Sequence, residues 1–358
     1  MQFFYCLKME FNKLKKMEMP RIILAGHGAL DKIGKVLSDL QIKGKILIVT
    51  GPKTVEIAGD AVKKMLKKDY KVEIFLTGDA TIENVEAVKK RASKKKFNLI
   101  IGVGGGTKID IAKKAAYDLS LPFISVPTSA SHDGVASPRA TIKNGSSNVS
   151  SEARVPIAII ADTSIIIKAP YRYLISGAAD VIANYTAVKD WELAYKLKGE
   201  DFSSSAYAIS KYTADEMINY APSLKPNDEE SVWVVIKAII SSGMAMSLAG
   251  SSRPASGSEH LFTHAVESIA PGRALHGEVA GVGTIIMSFL QGQDWKKVRE
   301  ALKMMGAPTK AKEIGLTNEE AINALTMAHK VRERYTILGE NGISQEAAEK
   351  ALKATEVI

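Results

Sequence analysis

The chain has 358 residues, of which 46% are hydrophobic and 24% charged, and its formal net charge is +9. This composition is ordinary for a globular protein, and no apolar run approaches the ~20 residues of a transmembrane helix, so we expect no stable membrane insertion. The single cysteine, Cys6, excludes both an internal disulfide and a metal site built from cysteines. These features predict a cytoplasmic protein long enough for two domains.

The positive charge has two interpretations. Nucleic-acid binding is one, because clustered lysines and arginines form the electrostatic footprint of such proteins. Here, however, the lysines are scattered along segments such as 62–68 and 88–96 and alternate with apolar residues, which is typical of a solvent-exposed helix face. We therefore expect no nucleic-acid partner. A basic background also suits an enzyme with phosphorylated ligands, through electrostatic steering.

Residues 1–20 are predicted to form a loosely attached N-terminal extension, and strands alternate with helices from residue 21 onward. The predicted strands are short apolar runs at 21–25, 45–50, 72–76, 99–102, 123–126 and 156–161. Helical periodicity lies between them, for example at 31–40, 54–66 and 82–96. This alternation predicts a doubly wound, largely parallel, Rossmann-like sheet in an α/β domain over residues 21–165 that binds a dinucleotide.

A glycine-rich turn separates the strand at 99–102 from a helix that opens at Thr107. The four glycines within five residues are Gly102, Gly104, Gly105 and Gly106. Free N–H groups and the positive end of the helix dipole would point into this turn, as in a phosphate-binding cradle. The alternative is a turn that only packs the helix closely on the strand. The pattern matches neither G-x-G-x-x-G nor the P-loop, so general fingerprints do not decide between the two.

Polar loops follow the next strands. A hairpin is expected over 141–150, around Asn144 and Gly145. Ligands of doubly wound sheets bind beyond the carboxyl ends of the strands, so the glycine turn, the loop at 127–131 and Gly51 should converge.

From residue 166 to residue 358 the sequence predicts a helical domain that binds metal and substrate. The expected helices cover 180–196, 204–218, 230–249, 260–270, 279–289 and 295–305, with two more that open near 317 and 344.

Three of the six histidines, His260, His264 and His276, lie close together in the sequence. The S-x-x-E pattern at 256–259 predicts a helix start that places His260 and His264 one turn apart on one face. Asp180 lies in a small, apolar segment where a carboxylate needs a partner. A metal ion between these side chains is one interpretation; histidines with only a structural role are the other.

Five segments together resemble the superfamily of iron-containing alcohol dehydrogenases, glycerol dehydrogenases and dehydroquinate synthases. Within it they are most similar to the archaeal sn-glycerol-1-phosphate dehydrogenase family. The segments are GVGGGTKIDIAKK (102–114), PTSASHDGVASP (127–138), SGAADVIANYTAVKDWELA (176–194), SGSEHLFTH (256–264) and LHGEVAG (275–281). The resemblance implies a dehydroquinate synthase-like fold, which agrees with the two domains predicted above.

The resemblance implies a metal site formed by Asp180, His260 and His276. Iron-dependent members of the superfamily carry a further histidine where this chain has Asn184, so we expect a site with three protein ligands. One carboxylate and two imidazoles with an open fourth position suit Zn²⁺.

The resemblance also implies catalytic roles for Asp133 and His264. Asp133 would lie near the nicotinamide and the substrate, and His264 would face the substrate rather than the metal. Asp180 would also contact the substrate. For a substrate phosphate, Arg253 and Arg139 are candidates from their positions near the motifs; solvated arginines are the alternative.

The implied cofactor is NAD(H) or NADP(H). The implied cofactor-binding residues are Gly104, Gly105, Gly106, Thr107, Lys108, Asp110, Thr128, Ser129, Ser131 and Ser137. Gly51 stands where glycerol dehydrogenases, in our alignment, carry an acidic residue for the adenosine ribose. Without that carboxylate a 2′-phosphate is not repelled, so NADPH should be accepted. Lys53 either helps to bind the 2′-phosphate or is a surface lysine without a role in binding.

The activity implied by the resemblance is the reversible, metal-assisted reduction of dihydroxyacetone phosphate to sn-glycerol 1-phosphate. In archaea this reaction supplies the glycerophosphate backbone of membrane lipids, and the enzyme is expected to be a homo-oligomer. The alternatives are a glycerol dehydrogenase for unphosphorylated substrates, a dehydroquinate synthase-like lyase with transient use of NAD, and a non-enzymatic basic binding protein. The last would leave the glycine turn and the histidines without a role.

Overall fold

A six-stranded parallel sheet and a β-hairpin contain all the strands of the computed structural model, which describes residues 14–145 and 147–358. Cys6 and most of the predicted extension 1–20 lie outside the described residues. The strands are β1 (Ile22–Gly26), β2 (Lys45–Thr50), β3 (Lys71–Leu76), β4 (Leu99–Gly104), β5 (Phe123–Pro127), β6 (Arg139–Asn144), β7 (Ser147–Glu152) and β8 (Ala158–Asp162). The sheet has the order β1-β8-β5-β4-β2-β3, and every pair in it is parallel. The doubly wound sheet is therefore confirmed.

Helices cover both faces of the sheet and connect its strands. They are α1 (Ile33–Asp39), α2 (Pro52–Thr54), α3 (Asp60–Leu66), α4 (Ile82–Lys95), α5 (Gly106–Asp118) and α6 (Thr163–Ile166), with a π-helical stretch, Val55–Gly59, between α2 and α3. The strands β6 and β7 pair antiparallel, so the hairpin is also confirmed.

The second half of the chain is helical, as predicted. Its helices are α7 (Tyr171–Lys198), α8 (Ser204–Tyr220), α9 (Glu229–Ala249), α10 (Ser258–Ile269), α11 (His276–Leu290), α12 (Trp295–Met304), α13 (Asn318–Met327) and α14 (Gln345–Ala354). Thr317 and Glu320 form the expected capping box of α13, and Ser344 caps α14. Helix α7 begins nine residues before the predicted start at 180, because the small residues around Ser176 continue the helix.

The core joins the two halves of the chain. On β2, Ile46 and Ile48 pack with the apolar cluster on one face of the sheet. Leu47 and Val49 point to the other face, into a cluster that continues through the helices of the second half. The predicted domain boundary between residues 165 and 166 stays a prediction, since one continuous core spans it.

Helix α9 is long and apolar enough to cross a membrane by length and composition alone. However, 67% of its most apolar 18-residue window is buried inside the protein. That burial is the pattern of a core helix, which passes the same length and composition test.

The strand register brings the carboxyl ends of the central strands together. Thr50 at the end of β2 pairs with Val103 on β4, and Gly104 at the end of β4 pairs with Pro127 on β5. The loops that follow these strands therefore start side by side, at the edge of the sheet that faces α7.

Candidate active site

The glycine turn lies between β4 and α5 and opens onto a cavity of ≈ 620 Å³. Gly105 is the N-cap of α5, in an extended conformation, and the first N–H groups of a helix have no partner within it. The N–H group of Thr128 donates to the carbonyl oxygen of Gly104 at 3.0 Å and so holds the loop after β5 beside the turn. An anion in this cavity would meet backbone N–H groups and the positive end of the helix dipole.

The glycines of the turn have different roles. A Cβ atom on Gly102 would lie 2.9 Å from the Cβ of Ala112, so this glycine lets α5 pack closely on β4. A Cβ atom on Gly105 would meet only the Ser129 Oγ, at 3.1 Å, on the side of the cavity. Close packing therefore applies at Gly102, whereas the space at Gly105 is compatible with an anion cradle, which stays a prediction.

Three side chains from three helices converge in the second half of the chain. Asp180 lies in the middle of α7, His260 in the first turn of α10, and His276 is the first residue of α11. The Asp180 Oδ1 is 3.4 Å from the His260 Nε2 and 4.0 Å from the His276 Nε2. One ligand atom from each residue lies within 4.8 Å of the others, which is the geometry of a metal site.

Two glutamates orient the imidazoles of this cluster. The Nδ1 of His260 lies 2.8 Å from the Glu259 Oε1, and the Nδ1 of His276 lies 2.7 Å from the Glu267 Oε1. Each carboxylate can accept the Nδ1–H group, and a neutral imidazole then directs its Nε2 lone pair to the centre of the cluster. Such carboxylate–histidine pairs are typical of metal sites, where they fix the tautomer and make the ligand more basic.

Close backbone approaches bring the helices to these distances. A Cβ atom on Gly177 would lie 2.1 Å from the Ala130 carbonyl oxygen, and one on Gly277 would lie 1.9 Å from the Ser176 carbonyl oxygen. Glycine at these two positions therefore lets the loop after β5 and the start of α11 pack directly on α7. Larger residues would move Asp180 and His276 apart.

The residues fit a cation at this position. The Asp180 Oδ1 is buried and has no hydrogen-bond partner, while the Oδ2 accepts the N–H group of Asp133 at 2.9 Å. Burial raises the pKa of Asp180, but the facing imidazole of His260 and the other nearby histidines outweigh it and bring the pKa to about 2. A buried carboxylate oxygen that is ionised and unpaired needs positive charge in front of it.

Asp133 lies beside this cluster, in a short turn that follows the loop after β5. Its Oδ2 accepts a hydrogen bond from the Ser242 Oγ at 3.0 Å, and Ser242 also accepts one from the amide of Asn184 at 3.1 Å. Burial and the negative charge of Asp180 raise the pKa of Asp133 to about 7. Asp133 can therefore hold or release a proton near neutral pH, and Asn184 supports it indirectly rather than joining the metal cluster.

His264 lies one turn after His260, with its ring centroid 5.7 Å from that of His276. Its Nδ1 is 3.1 Å from the Glu267 Oε2, and burial lowers its pKa although Glu267 opposes this. Its side chain lines a second cavity, of ≈ 330 Å³. This position is compatible with a role at the substrate, which stays a prediction.

The two cavities meet at Thr107, His132 and His276, which line both. Of the predicted cofactor residues, Gly105, Gly106, Thr107, Lys108, Thr128, Ser129 and Ser131 line the larger cavity. Thr107, Asp110 and Ser137 line the smaller one together with Asp133, His260 and His264. Gly104 is in the lining of neither cavity, and its carbonyl oxygen accepts the N–H group of Thr128.

Sequence reasoning missed His132, which lies at the junction of the cavities. Its Nδ1 accepts the N–H group of Gly134 at 2.9 Å, so the ring proton is on Nε2. The Nε2 lies 1.7 Å from where a Cβ atom on Gly106 would be, directly over the start of α5. Burial lowers the pKa of His132, and it therefore presents a neutral N–H donor to the cavity. The sequence offered one signal for His132, namely its position immediately before Asp133.

The structure corrects the assignment of Arg253 to the substrate. Its guanidinium group is buried, forms a bidentate pair with Glu200 and donates to the carbonyl oxygen of Tyr335 at 2.8 Å. It supports the wall behind the smaller cavity and does not line it. Arg139 and Arg332 line that cavity instead. Arg332 was missed because it lies in a loop far along the chain, without a recognisable motif.

The helix start predicted at 256–259 is confirmed, but the capping box implied by the S-x-x-E pattern does not form. Helix α10 begins at Ser258, and its N-cap Gly257 has no side chain to cap it. Glu259 instead accepts hydrogen bonds from the Gly257 N–H at 2.5 Å and from Thr186 at 2.8 Å, in addition to its contact with His260. The S-x-x-E pattern therefore indicates a buried carboxylate that supports a metal ligand.

Comparison with known proteins agrees with this geometry. Residues 24–170 match the family model described as iron-containing alcohol dehydrogenase. A glycerol-1-phosphate dehydrogenase (NAD(P)+) from Methanosarcina barkeri is 52% identical over 349 residues, 97% of this chain and 98% of that protein. Proteins of the same name from Methanothrix thermoacetophila and Picrophilus torridus are 51% and 48% identical, over 98% of this chain and 100% of each relative.

Two solved structures share the fold at low sequence identity. Glycerol dehydrogenase from Schizosaccharomyces pombe superposes with a TM-score of 0.80 at 22% identity, covering 96% of this chain and 91% of that one. A probable glycerol dehydrogenase from Sinorhizobium meliloti 1021 gives 0.78 at 21% identity, covering 96% and 98%. At this level of identity the two structures support the fold alone.

The family model and the relatives together place the chain among oxidoreductases of the iron-containing alcohol dehydrogenase class. The chain belongs to the glycerol-1-phosphate dehydrogenase family within that class. The resemblance noted in the sequence is confirmed, and the interpretation as a non-enzymatic binding protein is set aside.

The metal cluster gives a first prediction. Replacing Asp180, His260 or His276 with Ala should release the metal and abolish activity, because two remaining ligands hold a catalytic ion poorly. His264→Ala should keep the metal and lower turnover. Glu267→Gln should weaken metal binding by roughly 10–100-fold through loss of orientation of His276. Elemental analysis of the folded variants measures the metal content. Full metal content in His260→Ala would show that His264, and not His260, is the ligand.

The cradle gives a second prediction. In Gly105→Val the backbone conformation is accessible to valine, so the fold should persist, while the side chain projects into the cavity beside Ser129. Binding of the reduced dinucleotide should weaken by at least about tenfold, which is ~1.4 kcal/mol. Fluorescence titration gives the affinity and circular dichroism the fold. A folded variant with unchanged affinity would show that the anion does not bind at this turn.

Proposed function

We propose that the chain catalyses the reversible reduction of dihydroxyacetone phosphate to glycerol 1-phosphate with NAD(P)H, at a Zn²⁺ site formed by Asp180, His260 and His276. The names of the relatives supply the substrate pair and the cofactor. The observation that carries the proposal is a group of basic side chains, Arg139, Lys143 and Arg332, in the same cavity as His260, His264 and His276.

These basic side chains favour a phosphorylated substrate. In the described part of the chain, no carboxylate forms an ion pair with Arg139 or Arg332. Burial lowers the pKa of Arg332, and the charges of Arg139 and Arg253 lower it further. A dianion bound between two arginines that repel each other stabilises both charges. A phosphate group also offers the oxygen atoms for bidentate contacts with guanidinium groups.

The donor set supports zinc as the ion. One carboxylate oxygen and two imidazole nitrogens with an open position are typical of catalytic Zn²⁺, and Asn184 is engaged with Ser242. When bound, such an ion supplies Lewis-acid polarisation of the substrate carbonyl. The chain supplies the rest: Glu259 and Glu267 fix the imidazoles, and the N–H group of Asp133 fixes the second oxygen of Asp180.

The reaction transfers a hydride from C4 of the dihydronicotinamide to the carbonyl carbon and a proton to the carbonyl oxygen. The glycine turn and the loop 127–131 direct the cofactor toward the junction of the two cavities, where hydride donor and acceptor meet. Asp133, held between Asp180 and Ser242 beside the cluster, is the candidate to give the proton in one direction and take it in the other. His264 donates its Nδ1–H to Glu267 and so offers the Nε2 lone pair as the alternative acceptor.

Glycerol dehydrogenase activity is the second candidate, since the Asp180–His260–His276 cluster and the glycine turn would serve an unphosphorylated substrate equally well. It differs only in the absence of a phosphate on the substrate. The lyase alternative would show no net consumption of NADPH. Assembly as a homo-oligomer stays a prediction.

The decisive experiment compares two substrates. NADPH oxidation with dihydroxyacetone phosphate should be far more efficient than with dihydroxyacetone, because the phosphate adds charge-assisted hydrogen bonds. Chelation should abolish the reaction, and Zn²⁺ should restore it. Equal kcat/KM for the two substrates would favour glycerol dehydrogenase, and full activity in protein shown by elemental analysis to be metal-free would remove the metal from the proposal.

Arg332 gives a sharper test of the phosphate contact. Arg332→Gln should raise KM for dihydroxyacetone phosphate by roughly tenfold to a hundredfold, the loss of one charge-assisted hydrogen bond, and leave dihydroxyacetone kinetics little changed. The matched control is Arg253→Gln, which should lower the melting temperature by breaking the pair with Glu200 while the substrate preference stays. If only the Arg253 variant lost the preference for dihydroxyacetone phosphate over dihydroxyacetone, Arg253 would be the phosphate-binding residue, as the sequence predicted.

A further inference from the structure

The topology locates the adenosine end of the dinucleotide, if the chain is NAD(P)-linked as proposed above. The pyrophosphate belongs at the glycine turn after β4, and β4 lies between β2 and β5. The loop after β5 leads through His132 to Asp133 and the metal cluster, so the nicotinamide belongs on that side. The adenosine ribose then falls at the end of β2, next to Gly51.

The side chain of Lys108 lies across this place. A Cβ atom on Gly51 would be 2.5 Å from the Cε of Lys108, and one on Gly104 would be 2.8 Å from its Cβ and Cγ. The aliphatic part of Lys108 thus occupies a trough between the ends of β2 and β4 that exists because both positions are glycine. The Nζ reaches the carbonyl oxygen of Gly78, just beyond β3.

The electrostatic setting of Lys108 is unfavourable without an anion. It is the third residue of α5, and a cation near the N-terminus of a helix faces the positive end of the dipole. Within residues 14–145 and 147–358 no carboxylate pairs with it, and the Gly78 oxygen satisfies one of its three donors. Burial lowers the pKa of Lys108, with the charge of Asp79 opposing. An anion at the end of β2 would compensate the positive charge of Lys108 and accept hydrogen bonds from its remaining donors.

We propose that Lys108 binds the 2′-phosphate of the adenosine ribose and is the residue through which this chain accepts NADP(H). Gly51 contributes twice: it carries no carboxylate to repel the phosphate, and it leaves the space that Lys108 fills. With NAD(H) the ammonium keeps its hydrogen bond to Gly78, so the dinucleotide without the phosphate is still accepted. Lys53 lines the same cavity but is exposed on its rim.

The test measures dissociation constants of NADPH and NADH for the wild-type protein and for Lys108→Met and Lys53→Met. Both variants lose one positive charge from the same cavity, and methionine keeps the aliphatic stem. Lys108→Met should weaken NADPH at least about tenfold and NADH less than about threefold, since one charged hydrogen bond to the phosphate is lost. Lys53→Met should leave the ratio of the two constants nearly unchanged, and Lys108→Arg should retain the NADPH affinity.

A nicotinamide-free probe separates this proposal from the proposed reaction. Adenosine 2′,5′-bisphosphate should bind the wild-type protein more tightly than adenosine 5′-monophosphate, and Lys108→Met should remove the difference. This measurement needs neither substrate nor metal. A protein that passes it and still fails to reduce dihydroxyacetone phosphate would refute the reaction but not the role of Lys108.

Gly51→Asp provides a complementary variant. The new carboxylate lies against Lys108, pairs with the ammonium and repels the phosphate, so the preference should move toward NADH by roughly tenfold to a hundredfold. Gly51→Asn is the isosteric control without charge, and any general displacement by the added side chain appears in it for both dinucleotides. Equal weakening of both dinucleotides in Lys108→Met, or a change of the ratio in Lys53→Met alone, would overturn the proposal.

Discussion

The buried carboxylate of Asp180 is the constraint around which the second half of the structure is arranged. It lies in the middle of a 28-residue helix, between alanines and a valine that are fully buried. Removing such a charge from water costs several kcal/mol unless other charges and hydrogen bonds compensate. The N–H group of Asp133 compensates one oxygen, and the other faces His260 and His276 without a hydrogen bond of its own. The positive charge that this arrangement demands explains why two imidazoles, each held by a glutamate, approach from separate helices.

Each half of the molecule depends on the other for this centre. The loop after β5 belongs to the sheet, yet its backbone packs on Gly177 of α7 and delivers Asp133 to Asp180. Ser242 of α9 then binds the carboxylate of Asp133 from the opposite side. A hydride must pass between a dinucleotide held by the sheet and a substrate held by the helices. The direct contact of loop and helix holds Asp133 beside Asp180, where the two halves meet.

The sequence predicted the sheet and most of the helices because burial leaves a periodic record. Strands such as β2 and β4 are apolar along most of their length since both faces are covered, and the hairpin has its Asn144-Gly145 turn. The convergence of the strand-end loops follows from topology, whereas the individual cofactor residues were implied by the family resemblance and stay a prediction. The residues that form the wall of the substrate cavity could not be predicted from the sequence. Nothing local distinguishes Arg253, which pairs with Glu200, from Arg332, which lines the cavity. The direction of a long side chain depends on partners distant in sequence, and these two arginines lie 79 positions apart.

The same limit explains why the excess of positive charge was hard to interpret. Counted along the chain, the lysines indicate solvated helix faces, and most of them are exposed in that way. A few basic side chains are different because they are partly buried and, within the described residues, form no ion pair with a carboxylate: Lys108 lies over Gly51, and Arg332 lines the same cavity as Arg139. Holding them there lowers the stability of the ligand-free protein, as is common where binding sites break local rules. In the complex proposed above, the 2′-phosphate of the cofactor would compensate Lys108 and the phosphate of the substrate would compensate Arg332, so the charges that destabilise the empty site would favour the loaded one.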